Sequence, residues 1–192
     1  MPLTLDDVDW PLRTDRLLIR RIRPEDAEAT FRYRSDPAFG QWATSLPDDL
    51  DAWRRRYTDP EFLGAILAAE RDGEVVGDLM VLVHDAYAQR EVADHAVQVE
   101  AEIGWGIAPE HQGQGLATEA GRALLELCFD TLGLRRVLAS TFEANEASWR
   151  VVERLGMRLE SRTRKAGLHR DHGWSDERVY ALLAEEWAGS SA

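Results

Sequence analysis

The residues from Glu102 to Ala120 constrain this chain more than any others. Ile103, Trp105 and Ile107 alternate with small residues, the period-two pattern of a strand. Pro109 ends that strand, because proline cannot donate to a sheet ladder. Gln112 to Gly115 then carry two glycines one residue apart, which lets backbone N–H groups crowd together and approach a ligand. A helix starts at Leu116. Its free N–H groups and positive dipole end make an anion site suited to a phosphate or pyrophosphate. A P-loop is excluded, since Gly115 is followed by Leu116 rather than Lys-Ser/Thr. A dinucleotide fingerprint is excluded too: Gly113 to Thr118 ends in threonine, and the segment lies mid-chain rather than after the first strand. The third pattern, Gln/Arg-x-x-Gly-x-Gly/Ala, is matched at every position by Gln112-Gly113-Gln114-Gly115-Leu116-Ala117.

That six-residue pattern resembles the coenzyme A pyrophosphate loop of the GNAT N-acetyltransferase superfamily. The flanking Glu-Ile-Gly-Trp and Ala-Thr-Glu-Ala resemble its RimJ/RimL-type branch, the ribosomal-protein N-acetyltransferases and their relatives. Leu17-Leu18-Ile19-Arg20 followed by Arg23-Pro24-Glu25-Asp26-Ala27 is similar to the family's opening strand and helix. The resemblance covers about Arg13 to Trp187 and is most specific over residues 102–120 and 145–157. It implies an α/β (mixed α+β) GNAT fold: a mostly antiparallel sheet of about seven strands, splayed at its middle, with helices on both faces. It also implies acetyl-CoA as cosubstrate and an amine-bearing acceptor.

With 192 residues, 44% hydrophobic and 30% charged, the chain reads as one globular domain spanning 1–192 with its core at about 13–187. No apolar run approaches the ~20 residues of a membrane span. The opening Met-Pro-Leu-Thr-Leu-Asp-Asp has neither a basic region nor an apolar core, so no signal peptide is expected. The single cysteine, Cys128, sits in an apolar run and reads as a buried hydrophobe. These features point to the cytoplasm, with no membrane partner. The net charge of −12 argues against nucleic acid, whose phosphates need clustered Lys and Arg. It favours cationic acceptors by long-range attraction, although acidity also serves solubility alone.

Along the chain, Arg16 to Arg21 reads as a strand and Pro24 to about Ser35 as a helix. Residues 38–61 read as irregular, then helical from about Asp48 to Tyr57. Phe62–Glu70 and Glu74–Val83 read as strands joined by an Asp72-Gly73 hairpin turn. Residues 84–96 read as an extended loop. A helix is expected from Thr118 to about Leu132, with Ala120, Leu124, Leu127 and Cys128 on one stripe and Gly133 as its cap. Arg136–Phe142 reads as a strand and Asn145–Leu155 as a helix closed by Gly156. Met157–Arg164 and Glu177–Leu183 read as a last strand pair, with residues 165–176 as a polar connection.

Acetyl transfer from a thioester to an amine needs a held pyrophosphate, a neutral amine, a polarised carbonyl and a proton for the leaving thiolate. The resemblance assigns the first to the turn and helix start, Gln112, Gly113, Gln114, Gly115, Leu116, Ala117 and Thr118. It places a strand bulge and a carbonyl-polarising N–H at Gly106-Ile107, where Gly104 and Gly106 also read as glycines packed around Trp105. At pH 7 an α-amine of pKa ~8 costs about 1.4 kcal/mol to deprotonate, and a lysine at ~10.4 about 4.6 kcal/mol. A modest base therefore suffices for an α-amine. Glu102 is the candidate base, with Glu100, of the same strand parity, as fallback. Asn145-Glu146-Ala147-Ser148 matches the family's Asn-x-x-Ser. The resemblance makes Ser148 the proton donor to the thiolate and Asn145 a partner of the pantetheine arm. Asn145 is also a good plain N-cap. Ser148 shares a helical face with Val152 and Leu155. His169 and His172 lack the cysteine or His-Glu-x-x-His context of a metal site, so no metal is expected; His111 reads as a surface residue near the phosphates.

The reading is an acetyl-CoA-dependent N-acetyltransferase acting on a protein N-terminal α-amine. A small-molecule amine acetyltransferase, acting on an amino acid, polyamine or aminoglycoside, is the alternative within enzymes. A non-catalytic acyl-CoA-binding module is the alternative outside them. Both a monomer and a homodimer fit the sequence. The acceptor is expected to be set by the segments at 36–60, 84–96 and 165–176.

Overall fold

A computed structural model describes residues 3–190 of the chain. Its elements run β1 (Leu12–Arg13), β2 (Leu18–Arg21), α1 (Ala27–Arg34), α2 (Pro37–Gly40), α3 (Leu50–Arg56) and α4 (Pro60–Ala65). There follow β3 (Ile66–Arg71), β4 (Glu74–His84), β5 (Glu100–Ile107), α5 (Leu116–Glu126), β6 (Arg136–Phe142) and α6 (Glu146–Arg154). β7 (Arg158–His169), β8 (Gly173–Leu183) and α7 (Ala184–Ser190) complete the chain. The strands form one eight-stranded sheet in the order β1-β2-β3-β4-β5-β6-β8-β7. β5 and β6 are its parallel pair, and every other neighbouring pair is antiparallel. The expected fold is present, with β1 as an eighth strand that two residues were too short to announce.

Helices cover both faces because strand parity makes both faces partly apolar. On one face Leu67, Leu79, Val81, Ala101, Ile103, Val137 and Leu182 join α5 and α6 in the main core. Ala120, Leu124, Leu127 and Cys128 of the expected stripe are all within it. On the other face Ile22, Ala27, Trp53, Tyr57 and Ala68 form a second cluster under α1 and α3. The Asp72-Gly73 turn has positive φ at both residues (52° and 85°), as a tight two-residue hairpin requires.

Three expected boundaries differ. Phe62 to Ala65 are helical rather than extended. Asp59 accepts the Glu61 N–H at 2.9 Å, Pro60 fits the first turn, and Phe62 and Leu63 pack on the cluster around Trp53 and Tyr57. Residues 90–96, expected within an extended loop, form a 3₁₀ segment. Residues 165–176 are mostly strand: the β7–β8 ladder shifts register between Thr163 and Gly167, then continues to His169 opposite Gly173. Lys165 stands at φ 49° in that irregular stretch and donates its N–H to Asp176 at 2.8 Å. Alternating polar residues facing solvent on both sides hid the period of these strands.

Candidate active site

The parallel ladder between β5 and β6 is short. It holds Glu100, Ala101 and Glu102 of β5 against Arg136, Val137 and Leu138 of β6, and then the strands diverge. β5 continues to Ile107 and β6 to Phe142 without pairing, so the sheet splits at its middle. A cavity of about 770 Å³ occupies the split, lined by residues of both strands. The split arises without a bulge on β5: its register against β4 is continuous from His84–Glu100 to Gly77–Ile107. The expected bulge at Gly106-Ile107 is therefore absent. Gly106 is instead a close-approach glycine beside Phe39 and Asp78.

One end of the cavity is the glycine loop. Gly113 and Gly115 have φ of 71° and 80°, a region that side chains rarely enter. Gly115 is the N-cap of α5 and offers no side-chain cap. The first N–H to bond within the helix is that of Glu119, to Gly115 O at 3.1 Å, so the N–H groups of Leu116, Ala117 and Thr118 remain for a ligand. An uncapped helix start of this kind fits an anionic pyrophosphate. Gln112 donates its side-chain amide to Ile107 O at 2.8 Å, tying the loop to the end of β5. Gln112, Gly113, Gly115, Leu116, Ala117, Thr118 and His111 line the cavity. Gln114 does not. Its side-chain oxygen accepts from Arg71 at 2.7 Å, and its amide nitrogen reaches Glu110 O at 3.3 Å.

Two arginines that no motif marks hold this loop from behind. Arg16 donates to Gln114 O at 2.8 Å and pairs with Glu119 at 2.6 Å, while Arg71 takes the Gln114 side chain. Burial by itself raises the Glu119 carboxyl. Hydrogen bonds from the Thr14 hydroxyl, the Arg16 N–H and the Arg16 guanidinium outweigh it and hold the group below its ordinary value. Arg150 and Arg154 of α6 also line the cavity and add positive charge to its wall.

Glu102 lines the cavity and sits on the last rung of the β5–β6 ladder, where the split begins. Among the described residues no cation pairs with it. Glu100, the fallback base, is excluded from this role: it is buried, engaged by Arg135 and Arg136, and lines no part of the cavity. Ser148 and Asn145 both line the cavity. Asn145 caps α6, its side-chain oxygen accepting the Ser148 N–H at 3.2 Å. The capping reading is thus realised, and it leaves the Asn145 amide group and the Ser148 hydroxyl at the cavity wall. Val152 and Leu155, on the Ser148 face, are buried in the core as expected.

A further wall of the cavity is formed by Phe39, Trp42, Met80 and Phe142. The tip of the β7–β8 hairpin clamps the segment that carries Trp42. His169 Nδ1 accepts the backbone N–H groups of Asp171 and His172 at 3.1 and 3.3 Å, so the ring proton sits on Nε2 and is donated to Gln41 O at 2.8 Å. Both nitrogens of His169 are thereby used in holding the hairpin tip and the Trp42 segment. Arg170 donates to Gly40 O and Ala43 O. At the base of this wall Arg34 pairs with the buried Asp78, which also accepts from Tyr33 Oη at 3.1 Å. Burial disfavours the Arg34 cation, but Asp78 more than offsets this; burial, and then Asp78, push the Tyr33 hydroxyl well up. Of the segments 36–60, 84–96 and 165–176, expected to set the acceptor, the first lines the cavity, through Ala38, Phe39, Trp42, Ala43 and Thr44, and the other two do not.

Comparison with known proteins agrees with this geometry. The acetyltransferase (GNAT) domain family matches residues 16–158. The chain is 30% identical over 179 residues to the "Uncharacterized N-acetyltransferase YnaD" of Bacillus subtilis, covering 92% of this chain and 98% of that protein. It is 32% identical over 191 residues to the "Putative ribosomal N-acetyltransferase YdaF" of the same species, covering 91% and 95%. A solved GNAT-family acetyltransferase from Bacillus anthracis superimposes with a TM-score of 0.77 at 27% identity, over 92% of this chain and 100% of that one.

Proposed function

We propose that this chain, which belongs to the acetyltransferase (GNAT) family, transfers the acetyl group of acetyl-CoA directly to the α-amine of a protein N-terminus, in the manner of the RimJ/RimL-type branch. The observation that carries this is the position of Glu102 on the last rung before the split, in a cavity that runs from the uncapped start of α5 to an aromatic wall. The name of the relative, "Putative ribosomal N-acetyltransferase YdaF", supports a protein acceptor.

In this reading the N–H groups of Leu116, Ala117 and Thr118 and the loop from Gln112 to Gly115 bind the pyrophosphate. Asn145 offers its amide to the pantetheine arm, and the backbone of Gly106 and Ile107 lies beside the thioester. Glu102 takes the proton of the acceptor ammonium, directly or through one water. The neutral nitrogen attacks the thioester carbonyl. The new C–N bond forms as the C–S bond breaks; Ser148 gives its hydroxyl proton to the departing thiolate and regains one from the acetylated nitrogen, which sheds its second proton to become the neutral amide, while Glu102 returns its proton to solvent. No covalent acetyl-enzyme is needed. Cys128, the chain's one thiol, is buried in the core, and burial pushes it up to about 12, so it is a poor nucleophile.

The test is thiol release from acetyl-CoA with a panel of acceptors: peptides beginning Ser, Ala or Met, free amino acids, polyamines and aminoglycosides. Release with the peptides confirms the reading. Release with only a small-molecule class moves the acceptor to that class. Binding of acetyl-CoA without release from any acceptor overturns catalysis in favour of an acyl-CoA-binding module.

A further inference from the structure

The proposed reaction uses one carboxylate to collect the amine proton, yet the cavity is lined by two that no cation among the described residues pairs with. Asp78 is met by Arg34. Glu102 and Glu177 both line the cavity, and among the described residues neither has an ion-pair partner. Glu177 belongs to the aromatic wall, the acceptor end in the proposed reaction. It lies directly opposite Phe142 in the β6–β8 ladder and opposite Thr163 in the β7–β8 ladder, and Phe142 and Trp42 have ring centroids 6.1 Å apart.

Gly167 fixes the place of the Glu177 carboxylate. A Cβ at position 167 would stand 2.2 Å from Glu177 Oε1 and 2.6 Å from Phe142 Cε1, so any larger residue there would displace both groups. The carboxylate is therefore seated over a glycine, beside a phenylalanine ring, in a cleft whose next wall is an indole. A negative group with adjacent aromatic faces is the arrangement that takes up an ammonium or guanidinium, through charge and through the ring quadrupoles.

We propose that Glu177, with Trp42 and Phe142, forms a cation subsite at the acceptor end, and that the acceptor carries a second positive charge besides the amine that is acetylated. This rests on the acetyl-transfer reading above. Glu177 is a positioning residue here: it holds the non-reacting cation while Glu102 serves the reacting one. The net charge of −12 would gather such acceptors at long range.

The experiment compares acceptors that differ by one charge: 1,4-diaminobutane against 1-aminobutane, and an Ala-Lys peptide against the same peptide with norleucine at its second position. Wild-type protein and Glu177→Gln are assayed with acetyl-CoA, and acetyl-CoA affinity is measured separately on both. The expected result is a kcat/KM at least about tenfold higher for the dication in one or both pairs. Glu177→Gln should abolish that preference through KM for the dication, with acetyl-CoA affinity kept. A lower kcat for all acceptors together with a shifted pH profile would make Glu177 the base and overturn the subsite. An unchanged preference in Glu177→Gln also overturns it. Thiol release with other amines but with neither dication sinks the subsite and leaves the transferase standing, whereas no release with any amine sinks the transferase itself.

Discussion

Gly106 of β5 lies against the ring of Phe39: a Cβ built at 106 would stand 2.6 Å from Phe39 Cζ and 3.1 Å from Asp78 Oδ1. Phe39 cannot easily withdraw, because it packs on Tyr33 with centroids 5.0 Å apart and under the Arg34 guanidinium at 5.3 Å. The expected consequence of Gly106→Ala is overpacking worth about 1–3 kcal/mol. For a chain of this size that lowers Tm by roughly 2–12 °C. Acceptor KM should rise with it, since Phe39 is part of the acceptor wall. Gly104→Ala is the comparison: its Cβ would meet Met80 Cε at an ordinary 3.7 Å, so thermal unfolding should show no such loss. Equal destabilisation by both variants would mean that general strand strain, not contact with Phe39, limits position 106.

Ser148 is expected to matter to the rate and not to binding. Its N–H is fixed by Asn145, which leaves the hydroxyl as the group that Ser148→Ala removes. General acid catalysis contributes about 10²–10⁴-fold. Ser148→Ala should therefore lower kcat by at least about 10²-fold in the assay of thiol release, with acetyl-CoA affinity within about threefold. A kcat that stays within threefold would assign Ser148 to the helix start alone.

The Arg16–Glu119 pair gives a pH dependence whose sign is fixed. Glu119 is held below the ordinary carboxylate value of 4.5 in the folded protein. Its contribution to stability is thus complete above that value and is lost as pH falls through the lower, folded one. Glu119→Gln should show a flatter decline of Tm than wild type between about pH 5 and about pH 3. The same variant frees Arg16 from behind the loop, and acetyl-CoA affinity at neutral pH should fall several-fold. Parallel Tm profiles would show that Glu119 is not among the groups that set acid stability.

What the sequence made legible was local. The strand, proline, double glycine and helix start from Ile103 to Thr118 lie within one stretch, and each obeys a short-range rule of backbone geometry. The cap at Asn145 and the stripe on α5 are of the same kind. What it concealed depends on contacts between distant segments. Arg16 and Arg71 meet Gln114 across 98 and 43 residues of chain, and nothing near either arginine signals it. Glu100 and Glu102 have the same parity and similar neighbours. Only the partners at Arg135 and Arg136 separate the neutralised carboxylate from the one at the split. The β7–β8 tip looked like a loop because its strands alternate polar with polar, and the apolar signal of a half-buried strand was missing.

Cys128 supplies a check on the core. It is completely buried in the main cluster and burial pushes its thiol up to about 12. Native protein at about pH 8 should leave Ellman's reagent unreacted, and one thiol per chain should appear on unfolding in guanidinium chloride. Rapid reaction of the native thiol would show that the π-helical turn Leu127–Thr131, which follows α5, opens far more readily than its packing implies. Protection that persists with and without acetyl-CoA would separate this core from any motion at the cavity.

Arg170 tests whether the acceptor wall is held by the hairpin tip. Its guanidinium takes Gly40 O and Ala43 O, and His169 takes Gln41 O between them, so one turn of β7–β8 fixes the three residues around Trp42. Arg170→Ala removes two charge-assisted hydrogen bonds, each worth about 1.5–3 kcal/mol when buried and less at a partly exposed site. His169 remains to hold the middle of the segment, so the fold should persist while the wall loosens. Acceptor KM should rise about tenfold and acetyl-CoA affinity should hold, because the hydrogen bonds of Arg170 go to Gly40 and Ala43 and not to the glycine loop. Limited proteolysis should reveal new cleavage between residues 40 and 46. A variant with unchanged acceptor KM and unchanged cleavage would mean that His169 alone positions Trp42. A variant that lost acetyl-CoA affinity as well would mean that the two ends of the cavity are coupled through the split sheet.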